Sequence, residues 1–189
     1  MNAFLKILPA LAVVFICIRA GAEYDIRITG EFVAFSEDGS KFLVKFTDSN
    51  RGSYFSLRDA EEGKRIKDFK IDRATEEEDL VKLVKKHKLN DKGVEGQESP
   101  DGKYSLMGMQ KKEKFRIFVL KGEKKAVFKD VELEPDGDVL PKASLKTVVW
   151  SEDGGMFVVV VNLKYGGGVG IEKEQFLPFE FNASEIKFK

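Results

Sequence analysis

Cysteine is almost missing from this chain of 189 residues: Cys17 is the only one, and it lies in the apolar N-terminal stretch. Once that stretch is removed, disulfides, thiol catalysis and cysteine-ligated metals are excluded. Histidine is equally scarce. His87 is the single imidazole, so neither a paired-histidine metal site nor a catalytic arrangement needing two histidines can be built. No charge of one sign dominates, since 32 basic residues balance 32 acidic ones. No apolar run is long enough to cross a bilayer. The run from Ile7 to Ile18 falls short of the ~20 residues that a helical span requires.

That short run does suit an export signal. Lys6 gives a positive start, the apolar centre follows, and Ala20-Gly21-Ala22 offers a small-x-small cleavage site before Glu23. Ile16 stands before Cys17 where a lipoprotein leader would need a small residue, so acylation is not expected. Removing residues 1–22 takes away Lys6 and Arg19, which leaves 30 basic against 32 acidic residues, a net charge of −2. Near neutrality argues against a nucleic-acid partner, or a membrane surface, recognised through bulk charge. Residues 23–189 are enough for one domain with its own core.

What the chain has in quantity is a repeated turn. Phe35-Ser36-Glu37-Asp38-Gly39 leads to Phe42-Leu43-Val44, Ser99-Pro100-Asp101-Gly102 to Tyr104, and Trp150-Ser151-Glu152-Asp153-Gly154 to Phe157-Val158-Val159. Asp-Gly between β-rich runs marks a hairpin: glycine takes a positive φ without steric cost, and the aspartate and serine bond back into the turn. Each copy is followed by further β-rich runs. These are Tyr54–Leu57 and Arg65–Phe69, then Phe115–Leu120 and Lys125–Phe128, then Gly168–Ile171 and Phe176–Phe181. The reading is four short strands per repeat, with repeats at about 31–71, 96–133 and 145–181. In the second, Gln97 and Glu98 replace the aromatic residues before the turn, so its first strand is expected to be weak. Met156 to Val161 reads as a strand buried on both faces.

Residues 75–89 break the β pattern. Thr75 and Glu78 form a capping-box pair, acids precede lysines, and Leu80, Leu83, Val84 and His87 share one stripe. An amphipathic helix covering a sheet edge or face is expected, stopped by Asn90–Gly93. His87 reads as a partly exposed helix residue. Glu134–Asp138 is acidic but lacks the alternating oxygen ligands and terminal glutamate of a calcium loop, so it reads as a turn. Tyr165-Gly166-Gly167-Gly168-Val169-Gly170 precedes a strand-like segment rather than a helix, so it reads as a hairpin connection and not a phosphate cradle. Asn182-Ala183-Ser184 fits a glycosylation sequon.

The Ser-(Glu/Pro)-Asp-Gly hairpin, followed after one or two residues by Tyr or Phe, resembles the repeats of WD40-like and Tol-type periplasmic β-propellers. The Trp-Asp and Gly-His pairs of WD40 repeats are missing, because Trp150 is followed by Ser151 and His87 lies outside the repeats. The mature chain also resembles a bacterial family of predicted secreted proteins of unknown function. The resemblance implies a compartment and a fold, and no activity.

The fold expected is mainly β, with antiparallel four-stranded blade-like repeats in a partial or open propeller and one amphipathic helix. The function expected is that of a secreted or periplasmic, non-enzymatic binding or scaffolding protein of the cell envelope or exterior, with a protein partner. A carboxylate-based hydrolase, or a small-ligand or inhibitor module, is the alternative. No catalytic, cofactor-binding or metal residues are assigned, and no cofactor is expected. Three repeats cannot easily close a ring, so sheet edges need guarding. A monomer capped by the helix is the expected state, and an edge-paired dimer the alternative. Intact-mass measurement of the exported protein should find Glu23 as the first residue; a chain starting at Met1, or a lipid on Cys17, would refute the leader reading.

Overall fold

The structure is a computed structural model that describes residues 26–166 and 170–188. The expected leader and its cleavage site lie outside these residues. Within them the fold is mainly β with a single α-helix. In chain order the elements are β1 (Ile26–Ser36), β2 (Lys41–Asp48), β3 (Gly52–Asp59), β4 (Arg65–Lys70), α1 (Glu76–His87), β5 (Leu89–Asp91), β6 (Val94–Glu95), β7 (Ser105–Lys111), β8 (Lys114–Lys121), β9 (Lys124–Glu132), β10 (Lys142–Trp150), β11 (Met156–Tyr165) and β12 (Ile171–Glu180). A 3-10 turn at Ala183–Glu185 follows.

The repeated sequence makes the same turn three times. A serine hydroxyl donates to the aspartate two residues on, Ser36 to Asp38 at 2.6 Å, Ser99 to Asp101 at 2.7 Å and Ser151 to Asp153 at 2.6 Å. The same hydroxyl accepts the N–H of Lys41, Tyr104 or Met156 at 2.9–3.0 Å. The glycine N–H returns to the serine carbonyl at 2.8–2.9 Å. Gly39, Gly102 and Gly154 hold φ of 67°, 68° and 72°, which a residue with a Cβ reaches only at a cost. The serine bond is also the main reason why all three carboxyls lie below the ordinary 3.8, Asp101 at about 2.

The repeats do not form three separate four-stranded sheets. β1–β4 and β10–β12 are antiparallel meanders, joined edge to edge by a short parallel pairing of Ile26–Ile28 with Ile171–Lys173. The product is one large mixed sheet, while β7, β8 and β9 make a second, antiparallel one. The third repeat has three strands, because the two runs expected after its turn are one continuous β12. Where a fourth strand would pair, β1 stands instead. In the second repeat the strand before the turn shrinks to a bridge between Glu98 and Ser105, in line with its missing aromatics.

Alternation along the central strands builds three apolar layers. Phe157, Val159, Val161 and Leu163 of β11 face β7 and β8 through Leu106, Phe115, Ile117 and Val119. Val158 and Val160, on the other face of β11, meet Phe35, Phe42, Val44 and Phe46 of β1 and β2. Leu43, Phe55 and Leu57 then meet Leu83 of α1, with Leu80 and Val84 alongside. The stacking order is α1, the β1–β4 meander, the β10–β12 meander, and the β7–β9 sheet. β2 and β11 are buried on two faces, which is why Met156–Val161 carries no alternation of polarity.

The helix covers a face and is shorter than expected. It ends at Lys88 in the left-handed region, and Leu89 already belongs to β5. The capping box does not form. Thr75 has φ −122° and ψ 9°, away from the extended backbone of a capping residue, and its hydroxyl donates to Asp79 at 2.9 Å instead. Among the described residues no helix is long and apolar enough to cross a membrane.

The depressed turn carboxyls support the fold above the ordinary aspartate value of 3.8, and that support is lost as pH falls through their folded-state values, about 2 for Asp101. In urea at about pH 6 the triple variant Asp38→Asn, Asp101→Asn, Asp153→Asn should have a lower unfolding midpoint, and it should lose less than the parent when pH drops from about 5 to about 2.5. Equal acid sensitivity of the two proteins would show that the turns do not hold these carboxylates.

Candidate functional site: a cleft between two bulged strands

β1 and β12 part company just after their parallel seam. The last paired residues are Ile28 and Lys173. Beyond them the Gly30 N–H, lacking a backbone partner on β12, donates to the Glu174 carboxylate at 2.8 Å. The other oxygen of Glu174 receives the Lys146 ammonium at 2.6 Å. The Glu174 side chain is only 7% exposed, against 46% for that of Lys146. A buried carboxylate is tolerable here because a backbone donor and a cation both satisfy it. Lys146 is the extra residue of a bulge, since Leu145 pairs Val161 and Thr147 pairs Val160. β1 is bulged as well, at Val33. Bulges kink a strand and raise its twist, and here two of them lie on the strands that flank the gap.

The far end of the gap is closed by the segment Leu89–Glu95, which pairs on both sides. Asp91 and Leu89 of β5 pair with Phe35 and Ser36 of β1. Glu95 and Val94 of β6 pair with Val149 and Trp150 of β10. Asp91 shapes the segment, taking the Gly93 N–H at 2.7 Å and the Glu152 N–H at 3.0 Å. It thereby ties the segment to the third repeated turn, and the Glu37 N–H ties it to the first through the Lys88 carbonyl at 2.9 Å. Gly93 must be glycine on two counts. Its φ is 70°, and a Cβ there would run into Val149 and the Trp150 carbonyl.

What remains open is a cleft of about 460 Å³. Phe32, Val149, Val160 and Phe176 give it apolar walls, and Glu31, Lys92, Glu95 and Lys146 carry charges of both signs along it. Gly30 lets the Phe176 ring lie against the β1 backbone where any side chain would collide. Among the described residues, β1 has a backbone partner only in β2 from Thr29 to Ala34. On β10, Lys146 and Thr147 line the cleft and among the described residues that stretch pairs only with β11, while the Ala143 N–H further along is taken by the Gln110 side chain at 2.8 Å. The cleft thus presents two short strand edges without a further strand partner beside an apolar wall, the Gly30 N–H of β1 being already capped by Glu174. The buried carboxylate of Glu174 is already committed to two partners, which suits it to a positioning role more than to proton transfer.

The residues weighed from sequence lie elsewhere. His87 packs beside Phe69 with ring centroids 6.2 Å apart, and its Nε2 is buried with no partner among the described residues. Burial, then Lys86, Lys41 and Lys67, push its pKa down. Glu134–Asp138 is an exposed turn in which Asp136 and Val139 exchange backbone bonds at 3.0 and 3.1 Å. Residues 167–169 lie outside the described residues, but Tyr165 pairs with Ile171 across them, so the glycine-rich stretch joins two antiparallel strands. The Asn182 side chain is exposed and accepts from the Ser184 N–H at 3.2 Å and hydroxyl at 2.7 Å. Among the described residues no group of three or more His, Cys, Asp or Glu side chains is placed to hold a metal ion.

Sequence reasoning missed Gly30, Asp91, Lys146 and Glu174. Asn90–Gly93 was legible as a helix stop, and the Asp-x-Gly pattern within it is a turn signal. Nothing in the sequence marks the bulge at Lys146 or the parallel seam. Comparison of the chain with protein-family models, curated proteins and solved structures finds no match.

Asp91→Ala removes two hydrogen bonds to a carboxylate. It should cost about 1.5–3 kcal/mol in urea unfolding and speed amide exchange across Leu89–Glu95. An unchanged midpoint would show that the double pairing of this segment does not need Asp91.

Proposed function

We propose that this is an exported, non-enzymatic binding or scaffolding protein of the cell envelope or exterior, and that its partner is a polypeptide held as an extended segment in the cleft between β1 and β10. One observation carries the reading: both strands turn a short edge without a further strand partner toward the same gap, whose far end is already filled by a segment of the chain itself. Within Leu89–Glu95, β5 pairs with β1 and β6 with β10, the two turned by Gly93, so each edge accepts a short extended piece of chain. An incoming strand would use the same backbone recognition, with Phe32 and Phe176 offering contact to alternate side chains. Export rests on the leader-like residues 1–22. The three meanders are read as blade-like repeats of an open propeller, a reading supported by the identical turns and the stacked layers.

A second reading has one observation in its favour. A cleft of about 460 Å³ falls within the size range of small-ligand pockets, so a small-ligand or inhibitor module would use the same walls.

A photo-crosslinking residue placed at Glu31 or Thr147 of the exported protein decides the matter. The expected result is a discrete polypeptide adduct from both positions in the envelope fraction, with none from Val81 on the exposed side of α1. Absence of any adduct, or turnover of an ester, peptide or glycoside by the purified protein that Glu174→Gln abolishes, would overturn the proposal.

A further inference from the structure

The two ends of the stack are finished differently. At one end α1 seals the outer face of the β1–β4 meander. At the other end the outer face of the β7–β9 sheet carries no covering element among the described residues.

The register of that sheet fixes what the bare face displays. Leu106, Phe115, Ile117, Val119 and Ala126 are buried toward the core, so the alternate positions point away from it. Met107, Phe118 and Val127 stand opposite one another as one row across the three strands. Met109 and Leu120 flank the row. Met107, Met109 and Val127 are 37%, 51% and 54% exposed, which makes this an exposed apolar strip rather than scattered surface residues.

The surround of the strip is basic. Between Ser105 and Glu132 the sheet has eight basic side chains and four acidic ones, a net charge of +4, so the rest of this electroneutral chain holds −4. Two of the four acids are already paired on the face itself, Glu132 with Lys114 at 2.6 Å and Asp130 with Arg116 at 2.6 Å. Lysines crowd both ends of the strip, Lys111 and Lys112 at the β7–β8 tip and Lys121, Lys124 and Lys125 at the β8–β9 tip. The Lys125 ammonium sits 3.7 Å from the centre of the Phe118 ring. The near-neutral total conceals this polarity, so near neutrality of the whole chain does not weigh against a membrane surface at this sheet.

We propose that the outer face of the β7–β9 sheet docks on an anionic lipid bilayer. Met107, Met109, Phe118 and Val127 would enter the interfacial region, with the tip lysines at headgroup level. The charge pattern selects this occupant. A second copy laid face to face would oppose two sheets of the same net positive sign, whereas an anionic surface neutralises lysines at both ends of the strip at once. Lysine stems can also lie along the apolar strip while their ammonium groups reach phosphate. The proposal is independent of what the β1–β10 cleft binds.

The test is co-sedimentation of the mature protein with vesicles of phosphatidylglycerol and phosphatidylcholine, compared with phosphatidylcholine alone. Binding is expected only to the anionic vesicles and should fall at least tenfold at high salt. Lys111→Glu with Lys125→Glu, and separately Met109→Ser with Val127→Thr, should each cut binding at least fivefold. Val81→Ser on α1 should leave it unchanged, and circular dichroism of each variant reports folding independently. No binding to anionic vesicles overturns the proposal. So does binding that both sets of variants leave intact, or a dimer that dissociates in Val127→Thr, which would make the face a contact between copies.

Discussion

The serine-to-aspartate hydrogen bond inside each repeated turn is the interaction on which the rest of the structure depends. It is short, 2.6–2.7 Å in all three copies, and it fixes both hairpin register and facing. The serine oxygen also accepts the amide five residues on, so strand entry and strand exit are locked to one another. A slip of one residue would send every apolar side chain of β2 or β11 to the opposite face. With these strands buried on both faces, such a slip would exchange well-matched layers for mismatched ones.

A second constraint acts between repeats. The first and third meanders share one sheet through three residue pairs, Ile26–Ile28 with Ile171–Lys173. So brief a seam would leave the meanders free to splay, and the splay is real: β1 and β12 separate at once, and Glu174 takes the place of a strand partner for Gly30. Leu89–Glu95 limits the opening by pairing with β1 and β10 together. The cleft is what lies between a seam at one end and a tie at the other. Its existence follows from joining the repeats in parallel while each repeat stays antiparallel within itself.

Polarity runs across the stack as well. The covered end carries α1, whose acidic first turn of Glu76, Glu77, Glu78 and Asp79 is balanced by Lys82, Lys85, Lys86 and Lys88, while the bare end carries the lysine-rich tips of the β7–β9 sheet. A charge total of zero is the sum of one basic sheet and a slight acidic excess spread over the rest of the chain. Function read from composition alone averages away this difference, because long-range charge acts from where it sits and is screened within about 10 Å at ordinary ionic strength.

The sequence by itself determined the hairpins, the strands on either side of them, the helix, and the double-sided burial of Met156–Val161. Those features are local: Ser, Asp and Gly at fixed spacing dictate a turn through bonds a few residues long, and alternation dictates which face is apolar. It also signalled the weak first strand of the second repeat through Gln97 and Glu98. Only the tertiary structure decided how the repeats join. Whether β12 ends against open water or against β1 depends on residues some 145 positions apart, and no pattern in either strand names the other. The same holds for Glu174, a polar residue in a polar stretch until Gly30 and Lys146 are brought to it. Even the failed capping box at Thr75 is decided this way, since the chain arriving from β4 gives Thr75 a backbone that points its hydroxyl to Asp79 instead of to the Glu78 amide.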